Sequence, residues 1–382
     1  MSDKKEIKVS DLSYDKSEID AVVSVLESEW LTMGPKTEEF ERRLASYLGS
    51  DYAIALNNGT SALHLGLLAL GVGSGDEVIV PPISFVATAN VVLYTGARPV
   101  FSDIDIATFN LDPAGVEASI TKKTRAIIPV HLAGLPAEID ALIRIAREHD
   151  IGILDDAAHA IGAEYRGKRI GSLGDVTAFS FFSNKNLSVG EGGAISTNNE
   201  EAANELKLMR SHGLSKSTWS RYHLHDEESL DQLYDMKSLG YNYRMTEIAA
   251  AIGCVQLDKV DSFNSRRKAL YEIYKDHLED MYLDLQMIPS HVVHSHHILP
   301  VLIPRGTRPR VRAMLRDKGI GTSIHYTPIH KFSYYQKNGY SRISMPNAEE
   351  MGARVITLPL HQKLADEDVQ RVVNELQTAL SS

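Results

Sequence analysis

The sequence predicts a layered α/β fold. Three observations predict it. Short apolar runs of strand length alternate with stretches of helical periodicity, and the strands are followed by turn residues. The 382 residues correspond to two or three domains at roughly 150 residues each. Hydrophobic residues make up 43% and charged residues 24%, values of an ordinary globular chain, which leaves disorder and fibrous repeats aside.

The elements follow in chain order. Asn58-Gly59-Thr60-Ser61 stands directly before an apolar helix, Ala62 to Leu70. Ala126 to Leu132 reads as a buried strand with one blemish, Pro129, tolerable at an edge or bulge. Gly134-Leu-Pro136 is a turn, and Ile139, Leu142, Ile143 and Ala146 repeat at i, i+3, i+4, i+7, one face of a helix. Ile151 to Leu154 is a short strand that ends in two aspartates. Val176 to Phe182 and Gly193 to Thr197 are further strands. In the second half Ile248, Ala251, Ile252 and Val255 share a helix face, and a separate polar helix from about Asp261 to Asp280 follows. Val369, Val372, Val373, Leu376 and Leu380 form a final apolar stripe. Strand signals thin out near residue 258, so a large domain over 1–258 and a smaller one over 259–382 are expected. The polar stretch from Gly213 to Leu239 is long enough to be a functional loop or a disordered one.

Composition narrows the function. Forty basic against fifty acidic side chains give a net charge of −10, which argues against broad nucleic-acid binding. One cysteine, Cys254, excludes an internal disulfide and a Cys-rich zinc site. The opening MSDKKEIKVSDL lacks the apolar core of a secretory signal. The most apolar run, Ala62 to Val72, is about half of the roughly 20 residues that cross a membrane. A soluble, cytoplasmic protein is expected.

Three groups carry candidate chemistry. Asn58 to Ser61 has two readings: a phosphate seat, built from free N–H groups, a close-approach glycine and two hydroxyls, or simple capping of the helix by Thr60 or Ser61. Asp155-Asp156-Ala-Ala-His159 closes a strand, where ligands of open α/β sheets gather; acid–base or metal chemistry and a solvated turn are both open. Phe179-Ser180-Phe181 alternates, turning Ser180 away from the face of its aromatic neighbours. Lys185 then precedes Gly190-Glu-Gly-Gly193; it reads as a desolvated, nucleophilic amine or as an exposed loop lysine. Other signals are weaker. Gly71-Val-Gly73-Ser-Gly75 follows a helix and precedes a strand, the reverse of a dinucleotide loop. His291, His294, His296 and His297 read as a partly exposed polar strand rather than a metal set. His325 and His330 sit five apart in a Pro-containing loop, poor ligand geometry. Taken together, a phosphate seat, an acid at a strand end and a later desolvated lysine fit one chemistry, that of pyridoxal phosphate.

At this point the sequence resembles the DegT-type sugar aminotransferases, within the fold-type I pyridoxal-phosphate enzymes. The resemblance runs over nearly the whole chain through WLTMGP, NGTSALHL, GDEVIVPPISFVATAN, PVHLAG, ILDDAAHAIGAEYRGKRIGSLGD, FSFFSNKNLSVGEGGAIST, GYNYRMTEIAAAIG, GIGTSIHYTPIH and ITLPLH. It implies a large domain with a mostly parallel mixed sheet flanked by helices, and a smaller C-terminal α+β domain. It implies pyridoxal 5'-phosphate as cofactor, with Lys185 as the Schiff-base lysine and Asp156 as the partner of the pyridine nitrogen. His159 matches the residue beside the ring hydroxyl and Phe85 the aromatic that stacks on the ring. Gly59, Thr60, Ser61 and Ser180 match the phosphate contacts. Asn242 matches a residue that reaches the phosphate of a neighbouring subunit, so a homodimer with shared active sites is implied. Gly34, His212, His325 and Tyr326 match positions on the sugar side. Asp155 stands where a Glu is commoner, and Lys185 argues against the relatives that carry His there and dehydrate.

The activity implied is transfer of an amino group from an amino acid, glutamate foremost, to a nucleotide-linked 4-keto-6-deoxy sugar in glycan biosynthesis. HGLSKSTWSRY, at His212 to Tyr222, resembles the subgroup that aminates carbon 4 of such sugars. Its Lys216, Trp219 and Arg221 are candidates for a diphosphate and a base, or a solvated loop. Two alternatives stand beside this: amination of a keto-inositol or other keto-sugar, and a cofactor-binding regulator without turnover.

Overall fold

The computed structural model describes residues 6–215 and 235–382. The stretch holding Lys216, Trp219 and Arg221 therefore lies outside the described residues.

A seven-stranded sheet organises the first half. Its strands are β1 (Tyr52–Leu56), β2 (Glu77–Val80), β3 (Arg98–Phe101), β4 (Thr124–Ile127), β5 (Gly152–Asp156), β8 (Val176–Ser180) and β9 (Gly193–Thr197), in the order β1-β9-β8-β5-β4-β2-β3; the short strands β6 (Glu164–Tyr165) and β7 (Lys168–Arg169) pair elsewhere. The run β8-β5-β4-β2-β3 is parallel, and β9 lies antiparallel to both β1 and β8. The sheet is thus mixed and mostly parallel, as expected. Helices cover both faces because strand residues alternate. Ile153 joins a core with Phe40, Leu44, Leu142 and Ile145, whereas Leu154 joins one with Leu65, Leu67, Val91 and Leu206.

Pro129 shapes the centre of the sheet. The β4 ladder ends at Ile127, since proline has no N–H to donate. The chain then resumes beside β5 as a bridge between Val130 and Asp156, with Asp156 N–H donating to the Pro129 carbonyl at 2.8 Å. The expected strand to Leu132 is therefore interrupted.

Where two helices were expected after residue 247, one runs unbroken from Glu247 to Asp280. This helix, with residue 258 inside it, follows all strands of the large sheet. After it come β10 (Asp284–Leu285), β11 (Val292–Val293), β12 (Leu299–Leu302) and β13 (Val355–Leu358); β11 pairs with β6, and β10, β12 and β13 form a small antiparallel sheet packed on the helix Asp366–Ser381. Val369, Val372, Val373 and Leu376 are buried there as the stripe predicts. The histidine run departs from expectation: only Val292–Val293 is strand, and His294, His296 and His297 are buried. Among the described residues no helix is long and apolar enough to cross a membrane.

Candidate active site

Elements from distant parts of the chain converge on a cavity of about 860 Å³ at the carboxyl ends of β5 and β8. Its lining includes Gly59, Thr60, Ser61, Phe85, Asp156, His159, Ser180, Lys185, His325 and Tyr326.

One corner is the N-terminus of the helix Gly59–Ala69. The cap is Asn58, not Thr60 or Ser61: its side chain accepts the Ser61 N–H at 2.8 Å. The helix thus starts three residues earlier than the apolar run suggests. With capping assigned to Asn58, the N–H groups of Gly59 and Thr60 donate to no protein acceptor among the described residues. Gly59 is there for space, because a Cβ would lie 2.8 Å from the Ser180 Cβ. Free N–H groups, the positive end of the helix dipole and the Thr60 and Ser180 hydroxyls make an anion seat.

The opposite corner is acidic. Asp156 ends β5 and is buried; Thr88 Oγ1 donates to its Oδ2 at 2.8 Å, and the Ala158 N–H to its Oδ1 at 3.2 Å. Ser84 in turn meets Thr88 at 2.7 Å, and since Thr88 gives its proton to Asp156, Ser84 is the donor. Burial raises the Asp156 pKa, opposed by the Thr88 bond and by the nearby Lys185. Asp155 points to the other side, toward His131 at 3.5 Å.

Between the corners stands Lys185. Desolvation lowers its pKa to about 8, with Asp156 pulling the other way. About a tenth of the amine is then unprotonated at pH 7, far more than for an ordinary lysine, and that is the state that attacks a carbonyl. His159, buried, accepts the Ala133 N–H at Nδ1 (3.3 Å) and meets the Tyr326 hydroxyl at Nε2 (3.2 Å). Burial holds His159 well below its ordinary pKa and takes His325 down to about 4, so both are neutral at pH 7. Phe85 is 61% exposed at the rim, and Tyr94, Phe182 and Phe332 share that rim.

Not every sequence candidate reaches this cavity. Gly34 lies apart from its lining; it caps the helix Pro35–Leu48, with its N–H donated to Glu247 Oε1 at 2.9 Å. Asn242 is exposed and bridges Ser211, while His212 gives its N–H to the Tyr241 carbonyl; neither lines the cavity. Conversely, Thr88 was not singled out from the sequence. Its signal was its place three residues after Phe85 in ISFVAT, one helical turn on.

These residues fit pyridoxal phosphate. The anion seat, the carboxylate with spare lone pairs and the desolvated amine line one cavity, and the Gly59 cradle would be closed by any side chain.

Comparison with known proteins agrees with that fit. Residues 13–377 match the DegT/DnrJ/EryC1/StrS aminotransferase family. The spore coat polysaccharide biosynthesis protein SpsC of Bacillus subtilis is 39% identical over 372 residues, 94% of this chain and 93% of SpsC. Among solved structures, Spr1654 of Streptococcus pneumoniae in its PLP-form superposes with a TM-score of 0.91 at 33% identity, covering 99% of both chains. Helicobacter pylori PseC, an aminotransferase of pseudoaminic acid biosynthesis, gives a TM-score of 0.91 at 32% identity over 99% of this chain and 100% of its own.

Proposed function

The chain belongs to the DegT/DnrJ/EryC1/StrS aminotransferase family, and from that premise we propose which residues do its chemistry and on what substrate. The protein is a pyridoxal-phosphate-dependent sugar aminotransferase. We assign Lys185 as the amine that anchors the cofactor and moves the proton. Asp156 is the carboxylate for the ring nitrogen, His159 the neighbour of the ring hydroxyl and Phe85 the stacking face. Gly59, Thr60, Ser61 and Ser180 form the phosphate seat. One observation carries this: Lys185, Asp156 and the helix N-terminus line the same cavity.

When bound, the cofactor supplies an electron sink for the charge left by removal of the donor's α-proton. The chain supplies the rest. Lys185 Nζ, held at about 8, takes a proton and returns it near neutral pH. Asp156 holds positive charge at the ring nitrogen, and Thr88 with Ser84 fixes its orientation. Neutral His159 and His325 keep extra positive charge away from the amine.

The acceptor we propose is a nucleotide-linked 4-keto-6-deoxy sugar, and the donor glutamate. Support comes from SpsC and PseC, both named for glycan or sugar-acid biosynthesis, and from the subgroup likeness of His212 to Tyr222. The exposed aromatic rim of Phe85, Tyr94, Phe182 and Phe332 supports a second copy covering the site, with Asn242 exposed for it. His325 and Tyr326, which line the cavity, are assigned to the sugar side, and the protein to the cytoplasm.

The test is direct. Load the protein with pyridoxal phosphate, reduce with borohydride, digest and map the pyridoxyl mass. It is expected on Lys185, and a tag elsewhere overturns the assignment. Glutamate is then expected to bleach the visible band, and a nucleotide-linked keto sugar, rather than a keto-inositol, to restore it with saturation. No bleaching by any amino donor would favour a regulator.

A further inference from the structure

Behind the cavity wall runs a chain of hydrogen bonds, from half-buried Asn264 to buried His297, that the assignments above leave unused. Asn264, on the long helix, donates its Nδ2 proton to the Ile161 carbonyl at 3.0 Å. Gly162 beside it makes the approach possible, because a Cβ there would lie 2.6 Å from Asn264 Nδ2. Asn264 Oδ1 is thereby turned toward Asn186. Asn186 Nδ2 donates to it at 2.7 Å and to the Ser295 carbonyl at 2.8 Å. With both protons committed, Asn186 Oδ1 faces His297 Nδ1 at 2.9 Å. An amide oxygen only accepts, so the neutral His297 ring carries its proton on Nδ1.

The adjacent ring is set the opposite way. The Ala133 N–H enters His159 Nδ1, so its proton sits on Nε2, facing the Tyr326 hydroxyl. The two rings lie with centroids 4.4 Å apart. Their tautomers trace back to three main-chain groups, the Ile161 and Ser295 carbonyls and the Ala133 N–H.

We propose that Asn186 and His297 are positioning residues for Lys185: together they pin the loop that carries the amine and back the His159 ring from behind. Asn186 follows Lys185 directly. The Lys185 main-chain N–H bonds only three residues back, to the Phe182 carbonyl. Longer ties come from Tyr14, whose hydroxyl donates to the Ser188 carbonyl, and from the Asn186 side chain, which reaches the long helix, the Ser295 carbonyl and His297. Asn186, Ser295 and His297 are all buried, so these bonds exchange little with water. The charged and titratable groups facing His297 are His159, Lys185, Arg267 and His325; those facing Lys185 include Asp156. The proposal rests on Lys185 being the cofactor amine, and it adds how that amine is kept desolvated.

Three variants of the full-length apoprotein, Asn186→Ala, His297→Leu and His297→Asn, test it against wild type. Two quantities are read beside the melting temperature. One is the pH midpoint of Lys185 acylation by acetic anhydride, quantified on the digested peptide. The other is the Kd for pyridoxal phosphate. In Asn186→Ala and His297→Leu the loop loosens and water reaches the amine. The midpoint is expected to rise from about 8 toward the ordinary lysine value, and the Kd to rise about tenfold, the equivalent of one unpaired buried donor. His297→Asn restores an N–H toward Asn186 Oδ1 and is expected to recover most of both effects. A lowered melting temperature with unmoved midpoint and Kd overturns the positioning role, and so does a His297→Asn variant as impaired as His297→Leu. If Asn186→Ala fails to fold, the His297 pair decides. The borohydride map of wild type judges the underlying assignment separately, because acylation needs no cofactor.

Discussion

The segment His294-Ser-His-His297 serves two regions with the same residue type at the same depth. On one side, His294 accepts the His296 N–H at Nδ1 (2.7 Å) and meets Gln286 Oε1 through Nε2 (3.3 Å). The His294 and His296 rings stack 4.3 Å apart, with Tyr271 against His296. On the other side, His297 backs His159 and the cavity. Burial pushes all of these imidazoles below their ordinary range, His296 to about 3. A perturbed histidine therefore marks burial and not chemistry. The cavity side differs because an amine and an acid of opposite demand share its space, next to an anion seat. The far side closes on itself and holds the chain together.

Substitutions can break that contrast. Lys185→Ala is expected to lower turnover by about 10⁴ or more, since both the anchoring amine and the proton carrier go. The apoprotein's melting temperature is expected to hold, because a desolvated amine is removed rather than a packing group. Steady-state kinetics and a thermal scan check this together, and near-wild-type turnover would refute the assignment. Asp156→Asn keeps the shape and the Thr88 contact but not the charge. Turnover is expected to drop by about 10³ with a weaker visible band.

The main-chain support shared by both sides is expected to respond in stability. Arg267 is buried, and its Nη1 donates to the His296, His297 and Leu360 carbonyls. Arg267→Met leaves those acceptors unpaired, and urea unfolding is expected to show a loss of about 3 kcal/mol. Activity per folded molecule should stay within a few-fold. Gly59→Ala sharpens the cavity side: the new Cβ must push Ser180 aside, so the Kd for the cofactor is expected to rise about tenfold, measured by absorbance titration.

What the sequence carried, and what it did not, divides along contact distance. Local pattern sufficed for β5 ending in Asp155 and Asp156, for the helix Ile139–Glu148, and for Ser180 turning away from Phe179 and Phe181. Motif order sufficed to bring Lys185, Asp156 and the helix N-terminus to one chemistry. Thr88 on Asp156, Asn186 on His297 and Asn264 on Ile161 join residues 68, 111 and 103 apart, and no periodicity encodes such pairs. The single helix Glu247–Asp280 was read as two because Asp258 and Asp261 interrupt its apolar pattern. Both are surface residues, with Asp258 on Arg43 and Asp261 on Tyr47. The histidine run was read as half-exposed because four imidazoles in seven residues look polar. Three of them are buried, His294 and His297 on hydrogen-bond partners and His296 against Tyr271 and His294.

The smallest expected effect is one the two regions share. His294, His297 and His325 each have a folded-state pKa below the unfolded value, so at falling pH the unfolded chain takes a proton that the folded chain refuses. Stability is therefore full above about pH 6.5 and is lost as pH falls toward each folded value, about 4 for His325. The slope is at most about 1.4 kcal/mol per pH unit for each such histidine. Urea midpoints of the apoprotein between about pH 7 and pH 5 are expected to fall steadily. His297→Asn and His294→Gln should each flatten that fall by a similar amount, since each removes one refused proton. His297→Leu removes the same refused proton but also breaks the bond to Asn186 behind Lys185, so equal slopes with cofactor affinity weakened in His297→Leu alone would separate burial from function residue by residue. A flattened slope in one variant alone would show instead that the two sides of the segment differ in titration as well as in task.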